Sequence, residues 1–430
     1  MRTVAFGSAA HRRWLASLPR ASAPRASVVR QAERVVRAVR KEGDAALVRF
    51  TERFDGVRLT AGRLRVRPAE IRALAERADP AVVSALGRMA RRIEAFHRRQ
   101  LAPGFRVRWD DGSLLEEVVR PLASAGLYVP GGHGAYPSSV LMGAIPARVA
   151  GVERLVIVTP PRTLEENPAV AAAIAVAGVG EHVYRVGGAQ AVAALAYGTR
   201  TIAPVDKIVG PGNAFVAAAK RLVRGQVETS SEAGPSEVVI LADDSADAGF
   251  VAADLLAQAE HGSGDETVVL VTPSRVLAAE VVRLVSEGRG SVANRASTRR
   301  ALARNAAVVL VRDLAEGVAA VNALAPEHAE LLTRGAARIA RRIVAGAVFV
   351  GPFSPVAAGD YGIGPNHVLP TGGAARFASP LSVRDFQRRG SVVTLTRQGL
   401  SRVTEDVVRV AMAEGFRGHA QSVLTRFEGE

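Results

Sequence analysis

The chain has 430 residues, 48% of them hydrophobic, and a formal net charge of +15. This length predicts two or more domains, each with its own core. It contains no cysteine, which excludes disulfides, thiolate zinc sites and cysteine nucleophiles.

The positive charge comes almost entirely from Arg residues scattered along helical stretches such as ALGRMARRIEAFHRRQ. They are not interleaved with aromatic residues, so a nucleic-acid-binding protein is the disfavoured alternative. The longest weakly polar stretch, PAVAAAIAVAGVG, is shorter than the ~20 residues that span a bilayer. We therefore expect a soluble cytoplasmic protein with neither a nucleic-acid nor a membrane partner.

Residues 28–100 carry apolar residues at three- and four-residue spacing, which predicts helices. From about residue 118, short β-branched runs alternate with Ala-rich stretches of helical length. The runs are RLVIVTP, DKIVG, SEVVILAD, ETVVLVTP, AAVVLVRD and GAVFVGP. This alternation predicts an α/β fold with mostly parallel sheet. The last forty or so residues read as helix again.

One sequence pattern occurs twice, as VTPPRTL from Val158 and VTPSRVL from Val271. Each copy closes an apolar strand and opens a helix, which favours two related α/β units. No G-x-G-x-x-G fingerprint is present. The stretch KIVGPGNAFVAAAKRLV still predicts a strand, a tight glycine turn and a helix, and such a helix N-terminus can face a phosphate or form an ordinary turn.

Four of the eight histidines lie in suggestive settings. Gln258 and His261 share a helical face, which suits either two metal ligands or a helix C-cap. Asp360 and His367 lie in a loop rich in Gly and Pro, a common setting for functional residues. Glu414 and His419 lie five apart in the C-terminal segment. His11 and His97 lie among Arg residues and are predicted to be solvated; His133 and His182, near turns, carry little signal.

The stretch LAPEHAELL, residues 324–332, predicts a helix that begins at Pro326. Glu327 and His328 would then lie in its first turn. The helix dipole disfavours imidazolium there, which would keep His328 neutral. By itself the stretch does not distinguish a catalytic pair from a polar helix start.

Seven segments, spread from about residue 30 to 425, resemble the histidinol dehydrogenase family closely. They are GLYVPGGHGAYPSSVLMGAIPARVAGV, VYRVGGAQAVAALAYGT, VDKIVGPGNAFVAAAKRLV, AGPSEVVILAD, LLAQAEH, APEH and GDYGIGPNHVLPTGGAARFASPLSV. The resemblance implies NAD-dependent oxidation of L-histidinol to L-histidine through L-histidinal, with one Zn²⁺ per subunit.

The resemblance also assigns site residues. It implies an acid–base pair formed by Glu327 and His328. The implied zinc ligands are Gln258, His261, Asp360 and His419. The implied substrate-binding residues are Ser236, Gln258, His261, His328, Asp360, Glu414 and His419. The implied NAD contacts are Tyr128, Gln190 and Asn213.

The implied architecture is two related, incomplete Rossmann-like domains with small helical terminal segments. Its expected parts are an N-terminal helical arm (1–27), a discontinuous first domain (28–127 and 237–380), a second domain on the NAD side (128–236) and a helical tail (381–430). The tail is expected to pack on the partner of a domain-swapped homodimer with shared active sites.

One stretch departs from the family pattern. Where the family has Gly, an aliphatic residue, Asp and a hydrophobic residue, this chain has Glu228, Thr229, Ser230 and Ser231. This leaves open a sister zinc- and NAD-dependent dehydrogenase that acts on another polyol or amino alcohol.

The reaction itself constrains the roles of the pair. Without cysteine, oxidation of the aldehyde should pass through its hydrate, with water as the nucleophile and a general base to activate it. We expect His328 to remove the alcohol proton in each oxidation and Glu327 to activate the water.

Overall fold

The computed structural model of the chain describes residues 1–18, 25–131, 136–229, 234–288, 292 and 295–428. Its strands are Arg2–Ala5 (β1), Arg65–Val66 (β2), Arg106–Arg108 (β3), Leu114–Pro121 (β4), Ser124–Tyr128 (β5), Arg154–Thr159 (β6), Val183–Arg185 (β7), Lys207–Val209 (β8), Glu228–Thr229 (β9), Glu237–Ala242 (β10), Thr267–Thr272 (β11), Ala307–Leu310 (β12), His328–Leu332 (β13), Ala347–Val350 (β14) and Gln387–Thr394 (β15).

The α-helices alternate with these strands through most of the chain. They are Ala9–Ser17 (α1), Ala26–Glu42 (α2), Asp44–Asp55 (α3), Pro68–Ala75 (α4), Pro80–Arg98 (α5), Pro137–Ala150 (α6), Thr163–Glu166 (α7), Pro168–Ala177 (α8), Gly188–Tyr197 (α9), Ala214–Val223 (α10), Ala248–Ala259 (α11), Arg275–Gly288 (α12), Arg295–Arg304 (α13), Leu314–Leu324 (α14), Ala336–Ala340 (α15), Val356–Asp360 (α16), Arg397–Ala413 (α17) and Arg417–Leu424 (α18). Among the described helices, none is both long and apolar enough to cross a membrane.

The chain forms two compact units, Met1–Gln100 with Leu122–Phe386, and Leu101–Pro121 with Gln387–Glu430. The first unit contains two six-stranded sheets. The first sheet has the order β1-β12-β11-β10-β13-β14 and is parallel throughout. The second has the order β2-β7-β6-β5-β8-β9, and only β2 runs antiparallel. The predicted α/β class with mostly parallel sheet is confirmed.

The two sheets share one strand order. Counted along the chain, β10 to β14 and β5 to β9 each lie in the order 3-2-1-4-5, which is the order of the first five strands in the dinucleotide-binding fold. The repeated VTP motif closes β6 in one sheet and β11 in the other, the second strand of each series. The sequence repeat therefore occupies equivalent places in the two sheets.

The partition of the chain differs from the expected one. Helices α2 to α5 pack on the second sheet, where Val35 and Leu47 share a core with Leu195. The expected arm, residues 1–27, begins with β1, which pairs with β12 in the first sheet. Amphipathic helices bury their apolar face on whichever sheet lies beside them, and their own sequence does not name that sheet.

The second unit corrects the expected helical tail. It opens with β15, an eight-residue strand that pairs antiparallel with β4, and β4 in turn pairs with β3. Helices α17 and α18 follow. The segment QRRGSVVT contains three β-branched residues, which favour a strand, and a glycine, which disfavours a helix.

The stretch LAPEHAELL also departs from its prediction. Helix α14 ends at Leu324, and Ala325 adopts a left-handed conformation with φ of 46°. Residues His328–Leu332 then form β13, fully buried between β10 and β14. Pairing on both sides decided the conformation, because a strand in the middle of a parallel sheet buries both faces. The helix-dipole argument for a neutral His328 is therefore wrong.

Two histidines predicted to be solvated are buried. His97 is 0% and His11 4% exposed. The Nδ1–H of His97 donates to the carbonyl of Ile93 over 2.8 Å. A ring that caps its own helix can be buried among arginines that point outward.

The glycine turn after β8 lies in close contact with the end of the neighbouring strand β5. Gly210 has φ of +101°, and a Cβ there would overlap the carbonyl oxygen of Tyr128 at the end of β5. The buried amine of Lys220 donates to the Gly210 carbonyl over 2.6 Å. Both the conformation and the close approach require glycine.

Replacing this glycine should cost more than its conformation alone. We expect Gly210→Ala to lower the free energy of unfolding by about 3 kcal/mol, because left-handed strain adds to overpacking. Gly225→Ala is the matched control, since Gly225 has φ of +95° and a Cβ at that position would meet nothing within 4 Å. That control should lose only about 1 kcal/mol. Denaturant titration measures both, and equal losses would contradict the close-approach argument.

Candidate active site

A reciprocal pair of hydrogen bonds joins the beginnings of β10 and β13. The N–H of Glu237 donates to Oε2 of Glu327 over 3.0 Å, and the N–H of Glu327 donates to Oε2 of Glu237 over 3.2 Å. The N–H of Gly372 donates to the same Glu237 oxygen over 3.2 Å. We call this arrangement the carboxylate clamp. It fixes Glu327 and its neighbour at the amino edge of the first sheet.

His328 has a defined tautomer. Its Nδ1 lies 2.9 Å from the carbonyl oxygen of Glu237. A carbonyl only accepts, so Nδ1 carries the hydrogen and Nε2 keeps its lone pair. Nε2 lies 3.9 Å from Oδ1 of Asp360. Burial lowers the pKa of His328, and Asp360 opposes that shift. The ring is therefore a neutral base that presents Nε2.

Glu327 is held as a nearly dry carboxyl, 7% exposed. Burial raises its pKa to about 8; the hydrogen bond from Glu237 and the charge of His261 work against this shift, and the charge of Asp360 adds to it. Ser236 also hydrogen-bonds this carboxyl. A carboxyl with a pKa in this range can exchange a proton near neutral pH.

His261 and Asp360 lie close enough to Glu327 to shift its pKa, and Gln258 lies three residues before His261 at the end of α11. The Nδ1–H of His261 donates to the carbonyl of Gln258 over 3.2 Å, so Nε2 is the ring nitrogen that could bind a metal ion. Gln258 is 2% exposed, and neither its amide oxygen nor its amide nitrogen has a partner in the part of the chain that the structure describes. Metal-bound histidines commonly donate their other ring nitrogen to a carbonyl. The orphaned amide and the His261 tautomer both fit a metal ion.

The candidate metal ligands of the first unit do not suffice by themselves to hold a metal ion. Within the described residues, His, Cys, Asp and Glu side chains form no group of three that could hold a metal ion. Gln258 is not one of these four residue types, so His261 and Asp360 are the only candidate ligands of the first unit that belong to them. The donor set here is consistent with a metal only if a further ligand is supplied.

His367 acts on Asp360. Its Nδ1–H donates to the Asp360 carbonyl over 2.9 Å, and its Nε2 lies 3.3 Å from the hydroxyl of Ser139. Burial lowers its pKa. The histidine of the Gly/Pro-rich loop thus fixes the backbone that carries Asp360, which is a positioning role.

Glu414 and His419 belong to the second unit. Both are exposed, at the end of α17 and in α18. The His419 ring packs 5.1 Å from that of Phe416. The sequence-predicted set is therefore divided between the two units: Ser236, Gln258, His261, Glu327, His328 and Asp360 belong to the first.

The three residues expected to contact NAD line one cavity of about 230 Å³ in the second sheet's half of the unit. Tyr128 ends β5, and its hydroxyl accepts from the N–H of Gly188 over 3.1 Å. Gln190 lies in the first turn of α9, and its Oε1 is buried with no partner in the described ranges of the chain. Asn213 caps α10 through Oδ1, so its Nδ2 amide is the group left to donate. The cavity lies at the carboxyl ends of the neighbouring strands β5 and β8, where the strand order reverses, and such switch points bind ligands in sheets of this kind.

The structure describes part of stretch 228–231, which departs from the family's sequence pattern. Glu228 and Thr229 form β9 at the edge of the second sheet. Ser230 and Ser231 lie outside the described residues, as does His133.

Sequence reasoning missed three acidic residues, two in strands of the first sheet and one on helix α11. Glu237 forms the carboxylate clamp, and Asp254 and Glu330 hydrogen-bond each other behind the site. Asp254 lies one turn before Gln258 on α11, and Glu330 lies two residues after His328 on the same face of β13. An acidic residue inside an apolar strand, as in SEVVILAD and HAELL, is the signal that could have found them.

The comparisons with known proteins agree with one another. Residues 18–427 match the family model for histidinol dehydrogenase. The chain is 44% identical to the histidinol dehydrogenase of Syntrophotalea carbinolica over 416 residues, 96% of each chain. It is 47% identical to that of Rhodospirillum rubrum, with 90% of this chain and 89% of the relative covered. The crystal structure of histidinol dehydrogenase from Elizabethkingia anophelis superimposes with a TM-score of 0.92 at 33% identity, covering 100% of this chain and 98% of the other.

The Asp254–Glu330 pair should make stability depend on pH. Burial raises the pKa of Glu330 to about 9, with Asp254 adding to the shift. A carboxyl whose folded pKa is raised stabilises the fold below its unfolded pKa and loses that contribution as pH rises through the folded value.

Glu330→Gln keeps a hydrogen-bond donor for Asp254 but cannot ionise. We expect the thermal midpoint of the unaltered chain to fall between pH 5 and pH 9, and that of Glu330→Gln to fall less. Calorimetry across this range measures both. Glu153→Gln, at an exposed glutamate, is the control and should follow the unaltered chain; parallel curves for all three proteins would contradict the shared proton.

Proposed function

The chain belongs to the histidinol dehydrogenase family, and we propose that it oxidises L-histidinol to L-histidine through L-histidinal, reducing two NAD per substrate. The observation that supports this most is the neutral His328, whose Nε2 lone pair faces Asp360 at the end of the carboxylate clamp. A dehydrogenase needs such a base to take the alcohol proton while hydride leaves.

The reaction has three balanced steps. The alcohol loses a hydride and a proton and becomes the aldehyde. Water then adds to the aldehyde and gives the hydrate. The hydrate loses a second hydride and proton and becomes the carboxylic acid. Since the chain has no cysteine, the aldehyde oxidation cannot pass through a thiohemiacetal, and a base must activate water.

His328 is assigned the proton of each oxidation. Burial keeps it neutral and the Glu237 carbonyl keeps Nδ1 protonated. Nε2 is therefore ready to accept a proton without any change of tautomer. The resulting imidazolium would be stabilised by Asp360, whose carboxylate faces Nε2.

Glu327 is assigned the water. Its carboxyl is hydrogen-bonded by Glu237 and Ser236, which holds it in one orientation. With a pKa of about 8, more of the carboxylate is present as pH rises through that value. The water-adding step should therefore become faster toward alkaline pH.

Zinc and NAD complete the proposal. The proposed zinc ligands are Gln258, His261, Asp360 and His419. Zinc, when bound, supplies an electrophilic centre that holds the imidazole and amino nitrogens of the substrate, and imidazole suits it. NAD, when bound, accepts the hydride; Tyr128, Gln190 and Asn213 are its proposed contacts, which the shared cavity supports.

The substrate is proposed to contact Ser236, His328 and Glu414 beside the metal ligands. Ser236 also hydrogen-bonds Glu327, so it is well suited to link the bound substrate with the water-activating carboxyl. Glu414 brings an acidic group that can accept a hydrogen bond from the substrate amine.

A homodimer with exchanged C-terminal segments is proposed from the second unit. It carries His419 and Glu414 but none of the other proposed site residues. Its helix α17 leaves Val410 57% and Met412 48% exposed, and Phe416 beyond it is 54% exposed. An apolar surface of this kind favours burial against another chain, and exchange of an element is a low-cost route to a symmetric dimer.

The roles of Glu327 and His328 separate in the two half-reactions. With L-histidinol, the unaltered chain should form two NADH per substrate, and alcohols that lack the imidazole should be poor substrates. Glu327→Gln should slow oxidation of supplied L-histidinal by about a hundredfold or more and alcohol oxidation much less. His328→Asn should slow both. NADH absorbance measures each half-reaction.

The matched control is His182→Asn, a histidine in the turn before β7, and it should leave both half-reactions unchanged. Equal losses in the two half-reactions for Glu327→Gln would contradict the water-activating role. NADH formation that favours another alcohol over L-histidinol would indicate the sister dehydrogenase instead.

Exchange of the C-terminal segment can be tested by complementation. His328→Asn and His419→Asn chains should each be inactive as homodimers. A mixed dimer regains one complete site, with the base from the His419→Asn chain and His419 from the other. Co-expression with two affinity tags isolates this heterodimer, and activity near half that of the unaltered dimer is expected. An inactive heterodimer would mean that each chain completes its own site.

A further inference from the structure

The cavity lined by Tyr128, Gln190 and Asn213 contains a fourth polar group, the carboxyl of Asp55. Asp55 is the last residue of α3, followed by a glycine in the left-handed conformation. Its Oδ2 is buried and has no hydrogen-bond partner among the described residues. The Oε1 of Gln190 is likewise buried and unpartnered. Two orphaned acceptors therefore share one cavity.

Buried acceptors without partners indicate which chemical groups a ligand must bring to this cavity. An unpaired buried acceptor costs about 1–3 kcal/mol, more if it is charged. A ligand relieves this cost only by bringing donors. The vicinal hydroxyls of a ribose are donors, whereas a phosphate at neutral pH offers only acceptors and negative charge.

The walls of the cavity indicate which half of a dinucleotide it takes. Phe54, Pro160 and Phe215 give it apolar and aromatic surface, suited to a planar base. None of the proposed proton-transfer or metal-binding residues lines it. The end of the coenzyme that does not react, the adenosine half, is therefore the part that fits here.

We propose that Asp55 accepts a hydrogen bond from the adenosine ribose of the coenzyme and thereby selects NAD over NADP. This inference rests on the proposed NAD-dependent function and adds a specificity-determining residue to it. A 2′-phosphate would place a dianion against a carboxylate and remove the 2′-hydroxyl as a donor. In dinucleotide-binding folds an acidic residue after the second strand has this task; here it would come from a helix that precedes the sheet.

The environment of Asp55 agrees with this role. Burial raises the pKa of Asp55 to about 6, and the nearby charge of Arg162 limits the rise. Asp55 is thus mostly ionised at pH 7.5 and above, where it repels a phosphate. Arg162 would remain in a variant without the carboxylate and would then favour the phosphate.

Equilibrium binding tests the assignment without relying on turnover. Calorimetry gives the dissociation constants of NAD, NADP and the 2′-deoxyadenosine analogue of NAD at pH 8. The unaltered chain should bind NAD about tenfold or more tighter than the deoxy analogue, the value of one buried hydrogen bond to a charged group. Asp55→Ala should bind NAD and the analogue within about twofold of each other, and its preference for NAD over NADP should fall at least tenfold.

Two further variants keep the test decisive. Asp55→Asn keeps the shape of the side chain and should lose the discrimination against NADP, even if Asp55→Ala does not fold. Asp44→Asn is the matched control, because Asp44 is a buried carboxylate at the other end of α3 that hydrogen-bonds Thr201 and does not line the cavity. It should keep the preference of the unaltered chain.

The outcomes separate this inference from the function on which it rests. If the unaltered chain binds neither dinucleotide, the proposed function and the role of Asp55 are both overturned. If it prefers NAD and Asp55→Ala and Asp55→Asn keep that preference in full, only the role of Asp55 is overturned.

Discussion

The carboxylate clamp is the interaction on which the first sheet's functional edge depends. Each of two glutamates at the start of neighbouring strands accepts the backbone N–H of the other. The carbonyl of Glu237 also accepts a hydrogen bond from His328. The backbone of Glu237 therefore orients the proposed water-activating carboxyl of Glu327 and fixes the tautomer of the proposed base. Because these bonds are buried, losing one partner leaves the other unsatisfied. The clamp thus holds Glu327 and His328 in one geometry, and the loss of either hydrogen bond would be costly.

The two sheets share a strand order but use opposite edges. The cavity of the second sheet opens beyond the carboxyl ends of β5 and β8, as expected for this topology. In the first sheet, Glu327 and His328 open β13 at its amino end. Helix α11 returns from the carboxyl edge to the amino edge and brings Gln258 and His261 there. One duplicated architecture therefore carries the proposed cofactor cavity in one half and the proposed reaction centre in the other.

Burial tunes the titratable groups around the reaction centre in a consistent direction. It lowers the pKa of His328 and His367 and raises that of Glu327 and Glu330. In each case the neutral form is favoured, because a charge loses more solvation than its partners restore. A site built of neutral acids and bases is suited to proton transfer, and a bound cation would shift the carboxyls back toward carboxylate while it keeps the imidazoles neutral.

The sequence by itself determined the α/β class, the repeated VTP motif and the identity of the polar residues, since apolar periodicity and residue chemistry are local properties. It did not determine the conformation of LAPEHAELL, where strand pairing on both sides overrode a local helix signal. Nor did it reveal Glu237 or the Asp254–Glu330 pair, whose partners lie far along the chain, or Asp55, which shares a cavity with residues far along the chain. Which sheet receives α2 to α5, and which atoms remain unpaired in a cavity, were decided only by the tertiary structure, because burial and hydrogen-bond satisfaction depend on neighbours that the local sequence does not specify.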